Sequence, residues 1–391
     1  MRHRHMRFVQ FGDVHLDCSL GGALKLPPDK RATLRREIRD ALVRACDLAA
    51  EHGAQLVMIP GDLVDYEAIR PDTAAFLADT FRRIAPIRIF LTPGNHDSLR
   101  PGSPYLDPNV DWPENVHVFT SPQFETVVLD EPVCSITGIA HAHAGITDRL
   151  LTSVIQRPSC PTSILLMHGS RDGYRPSEKE NVIPFSDREL LNQGFTYTAL
   201  GHYHSFSRIE DDQGRLRAAY SGCIQGRALD ETGEKYVLLG EIDSEGQVTI
   251  KNVEVASRRV VSVEVDVTGS RDNETVLNRI EAAVDARECD LVNVSLAGAL
   301  PPGMALDTSE WERSAPYFHV NVNRARVQPD YDLESISADS AAGSVSSEFV
   351  RRMLEREEQA TDDDQRRVLR DAIYYGLYAL DGKDLEPRDA N

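Results

Sequence analysis

Apolar and polar positions along the chain follow two rhythms. Short apolar runs closed by polar residues, "MRFVQFGD", "LVMIPGD", "IRIFLTPGNHD", "SILLMHG" and "YTALGHYH", predict strands, and segments of helical spacing lie between them, the order of layered α/β architecture. Leu34, Ile38, Leu42, Ala45 and Ala49 recur at helical spacing before Gly53, a predicted C-terminal cap. A second amphipathic segment carries Phe76, Leu77, Phe81 and Ile84. Everything up to residue 255 reads as one sheet-based domain.

Near Arg258 the pattern changes to strict alternation, with Val261, Val263, Val265 and Val267 on one face and Ser262, Glu264 and Asp266 on the other, which predicts a half-buried strand. A helix around Val276, Leu277, Ile280 and Val284 follows, then strand-like "LVNVSL" and "YFHVNVN", so residues 256–327 read as a small α+β module. Residues 328–345, rich in Asp and Ser with few apolar anchors, read as a linker. In the tail, residues 346–391, helices are expected over Phe349 to Glu358 and Gln365 to Leu380. The aromatic stripe of Tyr374, Tyr375 and Tyr378 reads as a packed face, although a terminal helix pair beyond a linker needs a surface to dock on; if residues 346–380 dock a partner, the apolar stripe through Phe349, Met353, Ile373 and Leu377 is expected to be partly exposed or to pair with a second copy.

Composition narrows the setting. With 391 residues and a hydrophobic fraction of 41%, the chain can build more than one core. Its six cysteines form no C-x-x-C pair, no apolar stretch of signal-peptide length follows Met1, and no run is long enough for a membrane span, which together predict reduced thiols in a cytoplasmic protein. A net charge of −19 runs against unaided nucleic-acid binding, which needs positive charge concentrated locally, bound as metal or brought by a partner. Arg35, Arg36 and Arg39, Arg82 and Arg83, and Arg258 and Arg259 are the local candidates.

The strand ends carry the chemistry. "GDVHLD" offers Asp13 and His15, "GDLVD" offers Asp62, "GNHD" offers Asn95 and His96, "LMHG" offers His168, and "GHYH" offers His202 and His204. Each set sits at the carboxyl end of a predicted strand beside Gly or a tight turn, the edge where open α/β sheets bind ligands. Seven donors of carboxylate, imidazole and amide type, with no thiolate, are too many for one ion and suit two hard or borderline divalent ions. Asp62, alone on its loop with two oxygens, is the natural bridge, and His96 is left to donate a proton or a hydrogen bond to a leaving oxygen.

The ordered set "GDVH", "GD", "GNHD", "MHG" and "GHYH" resembles the calcineurin-like metallophosphoesterase superfamily. The resemblance implies Asp13, His15, Asp62, Asn95, His168, His202 and His204 as metal ligands, His96 as the active-site acid, and a four-layer α/β fold of two mixed sheets between helices over residues 6–255. "GDLVDYE", "ALGHYH" and "YSGCIQGRALDETGEKYVLLGEI" look like the DNA repair exonucleases of the SbcD and YhaO type. That group implies a capping, DNA-positioning role for residues 256–327, a homodimer, and an SbcC-type ABC ATPase partner docking on the tail. Archaeal and eukaryotic relatives place a histidine where this chain has Asp65, and the protein-phosphatase pattern "GDxxDRG" with "GNHE" is not matched.

The expected activity is a manganese-preferring DNA exonuclease or endonuclease in DNA repair, with water activated on two divalent ions attacking a backbone phosphate. The alternatives are a phosphodiesterase for a small or cyclic nucleotide and a mainly scaffolding subunit of an ATPase complex. His141 and His143 in "IAHAHAG" are expected in surface or structural roles, His3 and His5 in a frayed terminus, and His52, His117 and His319 as packed or solvated residues.

Overall fold

A computed structural model describes residues 5–20, 26–174, 180–338, 344–380 and 382. The chain divides into two compact units, Met1–Val260 and Val261–Asn391.

The first unit is built on two six-stranded sheets. One runs, in spatial order, Val248–Glu254, Tyr236–Ile242, Met6–Gln10, Leu56–Pro60, Arg88–Thr92 and Val116–Val118, parallel from Met6–Gln10 onward and antiparallel at the other edge. The other runs Glu125–Asp130, Val133–Gly138, Ser163–His168, Tyr197–Gly201, Leu216–Tyr220 and Ser207–Glu210, parallel in its middle and antiparallel at both edges.

Continuous apolar runs form these central strands because both of their faces are covered. In Ser163–His168, Ile164 and Leu166 point into the core between the sheets with Phe8, Met58, Phe90 and Tyr197, while Leu165 and Met167 point to the opposite core with Ile183, Phe185 and Leu190. Helix Pro28–His52 covers the first sheet, burying Leu34, Ile38, Leu42, Ala45 and Ala49, and ends at Gly53 in the left-handed conformation (φ 65°), which glycine adopts at low cost. On the second sheet the outer layer is thin, a helix of five residues, Asp187–Leu191, with loops around Leu151 and Ile155. A buried polar clasp joins the sheets: Tyr197 Oη donates to Gln10 Oε1 (2.6 Å) and Gln10 Nε2 donates to the Ala219 carbonyl (2.8 Å).

The second unit holds a three-stranded sheet, in the order Val260–Asp266, Leu291–Leu300 and His319–Pro329, and helices Asn273–Ala283 and Ser309–Ser314. The alternation read in the sequence appears as Val265 buried between exposed Glu264 and Asp266, and the sheet packs Val292, Val294, Val320 and Val322 against Val276, Ile280 and Trp311.

Two expectations for the tail need correction. The segment 328–345 is not a plain linker, since Pro329 ends a strand and Leu333–Ala338 is a helix; residues 339–343 of that segment lie outside the described residues. Tyr331, Leu333 and Ile336 supply enough apolar surface to hold it against the helices that follow, Val345–Glu358 and Asp363–Leu380. Nor is most of the stripe exposed: Met353, Ile373 and Leu377 are buried against each other and Val350, at 9%, 0%, 3% and 0% exposure, while Phe349 is half-buried. The pair approaches so closely that a Cβ on Gly376 would lie 2.1 Å from Phe349 Cζ. Beyond Leu380, residues 381 and 383–391 of the expected tail, like His3, lie outside the described residues.

Candidate metal centre

Because the donor-bearing strands run parallel within each sheet, Met6–Gln10, Leu56–Pro60 and Arg88–Thr92 in one and Ser163–His168 and Tyr197–Gly201 in the other, their carboxyl ends fall on one edge, and the turns that follow bring the seven donors together. Ligand atoms of Asp13, His15 and His204 lie within 4.8 Å of one another, as do those of Asp13, Asp62 and His168. Asn95 joins through Oδ1, 2.8 Å from His168 Nε2. His202 joins through its backbone N–H, which donates to both Asp13 carboxylate oxygens (3.0 and 3.2 Å), and through its ring, 5.2 Å from that of His168.

The backbone is strained where these residues sit. Among the described residues, six that are not glycine have positive φ, and four of them are Asp13 (51°), His15 (48°), Asp62 (52°) and His202 (113°). Such conformations cost about 1–3 kcal/mol each and persist only where the surroundings impose them. The motif glycines make room: a Cβ on Gly94 would lie 2.3 Å from Asp62 Oδ1, and one on Gly201 would lie 1.9 Å from the Pro60 carbonyl oxygen.

Each histidine is held through one ring nitrogen, which fixes where the lone pair of the other points. His15 Nδ1 donates to Asp65 Oδ1 (2.7 Å) and His204 Nδ1 to Glu231 Oε1 (2.5 Å). His168 Nδ1 donates to the Pro60 carbonyl (3.0 Å), and His202 Nε2 to the Glu180 carbonyl (2.9 Å). The nitrogens left to face a metal ion are therefore Nε2 of His15, His168 and His204 and Nδ1 of His202.

Divalent cations fit this donor set. His15 Nε2 is buried with no hydrogen-bond partner, 3.6 Å from Asp62 Oδ2. His168 Nε2 faces two acceptors, Asn95 Oδ1 and Asp62 Oδ2 (3.2 Å), an arrangement that needs a positive charge between them, either a proton or a metal ion. Without metal the proton wins: burial pulls His168 down, but the Asp62 carboxylate outweighs it and lifts the group to about 9. Burial likewise opposes the charge on Asp62, yet His168 holds that carboxyl well below the usual range. His15 goes the other way, driven down to about 3 by burial and by the Arg227 guanidinium.

His96 stands apart. Its side chain is 49% exposed, where that of His15 is 2% exposed, its backbone N–H donates to Asp62 Oδ1 (2.9 Å), and its Nδ1 lies 3.3 Å from Asp65 Oδ1. That bond to Asp65 raises its pKa against the opposing effect of burial.

Sequence reasoning missed the residues behind the donors. Asp97 is buried and accepts from the backbone N–H groups of Gly94 (2.6 Å), Asp62 (3.2 Å), Leu63 (2.8 Å) and Val64 (3.4 Å) and from Tyr105 Oη (2.6 Å), so it ties the Asp62 turn to the Asn95 turn. Glu231 holds His204 while pairing with buried Arg227 (2.7 Å). The final D of "GNHD" and the charged residues of "GRALDE" were the available signals. His141 is structural: it is fully buried behind His168, with Nε2 2.8 Å from that residue's carbonyl oxygen, whereas His143 is exposed. Several of the local basic candidates have intramolecular partners, Arg39 with Asp17 and Asp72, Arg82 with Asp79 and Asp111, Arg83 with Asp47, and Arg258 with Glu37.

Residues 6–206 match the family described as calcineurin-like phosphoesterase. The chain belongs to that family. Membership places it among phosphoester hydrolases that use divalent metals. It is 26% identical over 252 residues to an uncharacterized metallophosphoesterase YhaO of Bacillus subtilis, covering 62% of this chain and 60% of that protein. It is 22% identical over 264 residues to the DNA double-strand break repair protein Mre11 of Saccharolobus solfataricus, covering 63% of this chain and 66% of that one. To the protein of the same name from Sulfurisphaera tokodaii it is 24% identical over 311 residues, covering 76% and 78%. The chain thus spans less than two thirds of the length of the first two relatives. Among the described residues no helix is long and apolar enough to cross a membrane.

Proposed function

We propose that the chain is a dinuclear-metal phosphodiesterase that cleaves the DNA backbone in repair. The observation that carries this reading is the convergence of seven hard or borderline donors at one edge of the sheets, among them a buried imidazole nitrogen, His15 Nε2, that has no hydrogen-bond partner. Asp13, His15 and His204 would hold one ion and Asn95, His168 and His202 the other, with Asp62 shared. Bound there, two divalent ions would supply the charge that activates water and polarises a phosphoryl group. The chain's own residues do the rest. His96, half exposed beside the cluster and backed by Asp65, delivers a proton to the leaving oxygen. Asp97 holds the Asp62 and Asn95 turns in register.

DNA as substrate is supported by the relatives named for double-strand break repair. The net charge of −19 makes tight unaided binding to DNA unfavourable at physiological salt, which fits a chain that works with a partner. An ABC-type ATPase docking on the tail helices, a cytoplasmic setting, manganese as the native metal and a DNA-positioning role for the three-stranded sheet module belong to the same reading.

The test is an assay of the purified chain on end-labelled single- and double-stranded DNA and on small cyclic nucleotides, with manganese, magnesium or chelator. Metal-dependent cleavage of DNA is expected. Hydrolysis of only the small substrates would move the assignment to a nucleotide phosphodiesterase, and no hydrolysis with both ions bound would leave a scaffold.

A further inference from the structure

We propose that Ser170 is a positioning residue for the metal centre: its hydroxyl holds the main-chain carbonyl that fixes the ring of His202. The inference rests on the dinuclear reading only for its metal titration. His202 Nε2 donates to the Glu180 carbonyl (2.9 Å), and Ser170 Oγ donates to the same oxygen (3.4 Å). One acceptor is thus shared by a ligand and by the last residue of "MHGS", whose histidine, His168, would bind the same ion as His202. The Val182 N–H donates back to Ser170 Oγ (3.0 Å), so the hydroxyl, buried at 4% exposure, is used as donor and acceptor at once.

The segment that presents this carbonyl is strained and depends on its anchors. Ile183, a β-branched residue, has φ 37°, a left-handed conformation that such side chains rarely adopt and that persists only where the surroundings impose it. The surroundings do so here. The Ile183 N–H donates to the Ile146 carbonyl (2.7 Å), and its side chain is fully buried with Leu165 and Met167. The main chain of Ser170 pairs on both sides of it, the N–H donating to the Val182 carbonyl (2.8 Å) and the carbonyl accepting from the Phe185 N–H (2.9 Å). The preceding glycine leaves the room, since a Cβ on Gly169 would lie 2.7 Å from the Ile183 carbonyl oxygen. These main-chain pairs hold the strained turn, and the hydroxyl carries the hold further back, to Glu180. Replacing Ser170 with alanine therefore keeps the anchor of the turn and loosens the carbonyl behind His202.

The full chain with Ser170→Ala, Glu231→Gln and both changes together provides the test. Histidine nitrogen NMR of the metal-free chain at alkaline pH reads the tautomers directly. The native protein should carry its proton on Nε2 of His202 and on Nδ1 of His15 and His204, and Ser170→Ala should move only His202 toward a mixture of tautomers. A residue that served the fold alone would shift none of them or all three. In a two-site manganese titration Ser170→Ala should weaken one ion by about 2–10-fold, the scale of one or two lost hydrogen bonds, and leave the other unchanged. Glu231→Gln acts on His204 in the opposite half, so the double variant should show both ions weakened, each by its single-variant factor. If the alanine variant does not fold, Ser170→Cys, which keeps the shape and forms weaker hydrogen bonds, carries the same measurements.

An unchanged His202 signal in Ser170→Ala, a shift shared by His15 and His204, unchanged manganese affinities, or losses that fall on the same ion as those of Glu231→Gln would overturn the proposal. A native chain that binds one manganese ion or none would instead sink the dinuclear reading, leaving the NMR to decide the role of Ser170.

Discussion

On one side of Asp62, His15 and His204 lean on the carboxylates of Asp65 and Glu231; on the other, His168 and His202 lean on the main-chain carbonyls of Pro60 and Glu180. Both arrangements fix a tautomer. A carboxylate does more, because its charge makes the imidazole a stronger donor and favours a cation on the far side of the ring. The carbonyl side is neutral and obtains its charge from the shared Asp62. Arg227 moderates the first side, since its guanidinium touches Glu231 and, against the opposing effect of burial, keeps that carboxyl well below the usual range. The two halves of the proposed centre are therefore alike in donors and unlike in what stands behind them. The carboxylate-backed half should hold its ion more tightly, and the carbonyl-backed half should exchange it more readily.

The largest effect should come from the residue that both halves share. Asp62→Asn removes the one charge that His15, His96 and His168 all face. Metal analysis should show occupancy reduced in both halves, and phosphodiester turnover should fall to the level seen with chelator. Retention of one ion at native affinity would assign Asp62 to a single half.

Next comes the asymmetry itself. Glu231→Gln keeps the shape behind His204 and removes its charge, so one ion of two should weaken by about 10–100-fold while the other is unaffected. No equivalent substitution exists for His168 or His202, whose backing is main chain. A parallel loss of both ions, read in a two-site manganese titration, would erase the distinction between the halves.

The sequence revealed the donors more readily than their supports, and the reason is physical. Asp13, Asp62, Asn95 and His168 sit at or just past the ends of strands, where a local pattern of apolar run, glycine and polar residue reports the position directly. The two sheets were legible for the same reason, through runs such as "LVMIP" that only burial on both faces explains. Asp65, Asp97 and Glu231 act on partners from other loops, and no periodicity records which loop lies opposite. The tail shows the converse limit. Helical spacing revealed an apolar stripe through Met353 and Ile373, but spacing does not say what covers it, and the two helices together with Leu333 and Ile336 cover it themselves. Charged substitutions at Met353 or Ile373 would thus unfold the helix pair before they tested any docking surface.

A smaller effect separates the halves by proton count. In the metal-free chain His168, at about 9, is protonated at neutral pH, and His15, at about 3, is not. The folded value of His168 lies above the ordinary imidazole value of 6.5, so the stability from its pair with Asp62 is fully present below 6.5 and is lost as pH rises through 9. The depressed Asp62 contributes above 3.8 and loses its effect only as pH falls through its folded value, outside this window. The melting temperature in chelator should therefore decline from pH 6.5 to 9, and saturating manganese, which takes the place of the proton, should flatten the decline. Calorimetric titration at neutral pH in buffers of different ionisation enthalpy should register about one proton released from His168 as that half fills. A flat profile in chelator would mean that His168 is neutral without metal.

The smallest effect belongs to a group behind both halves at once. Tyr105 Oη donates to Asp97 Oδ2 at 2.6 Å from a buried position, one of five donors converging on that carboxylate. Tyr105→Phe removes that hydroxyl and little else, because the ring keeps its packing against Trp112, 6.0 Å away between centroids. The four backbone N–H groups remain, so Asp97 is not orphaned, and the cost should be about 1–2 kcal/mol, the scale of one hydrogen bond to a charged acceptor. Asp97 anchors the turn that carries Asp62 and the turn that carries Asn95 and His96, so any slackening is transmitted to the shared ligand rather than to one histidine. Thermal melts should fall by a few degrees, and the two manganese affinities should move together, each by less than the change that Glu231→Gln produces in one. If Tyr105→Phe weakened a single ion, Asp97 would belong to one half of the centre, and the asymmetry would begin at the platform beneath the ligands rather than at the groups behind the histidines.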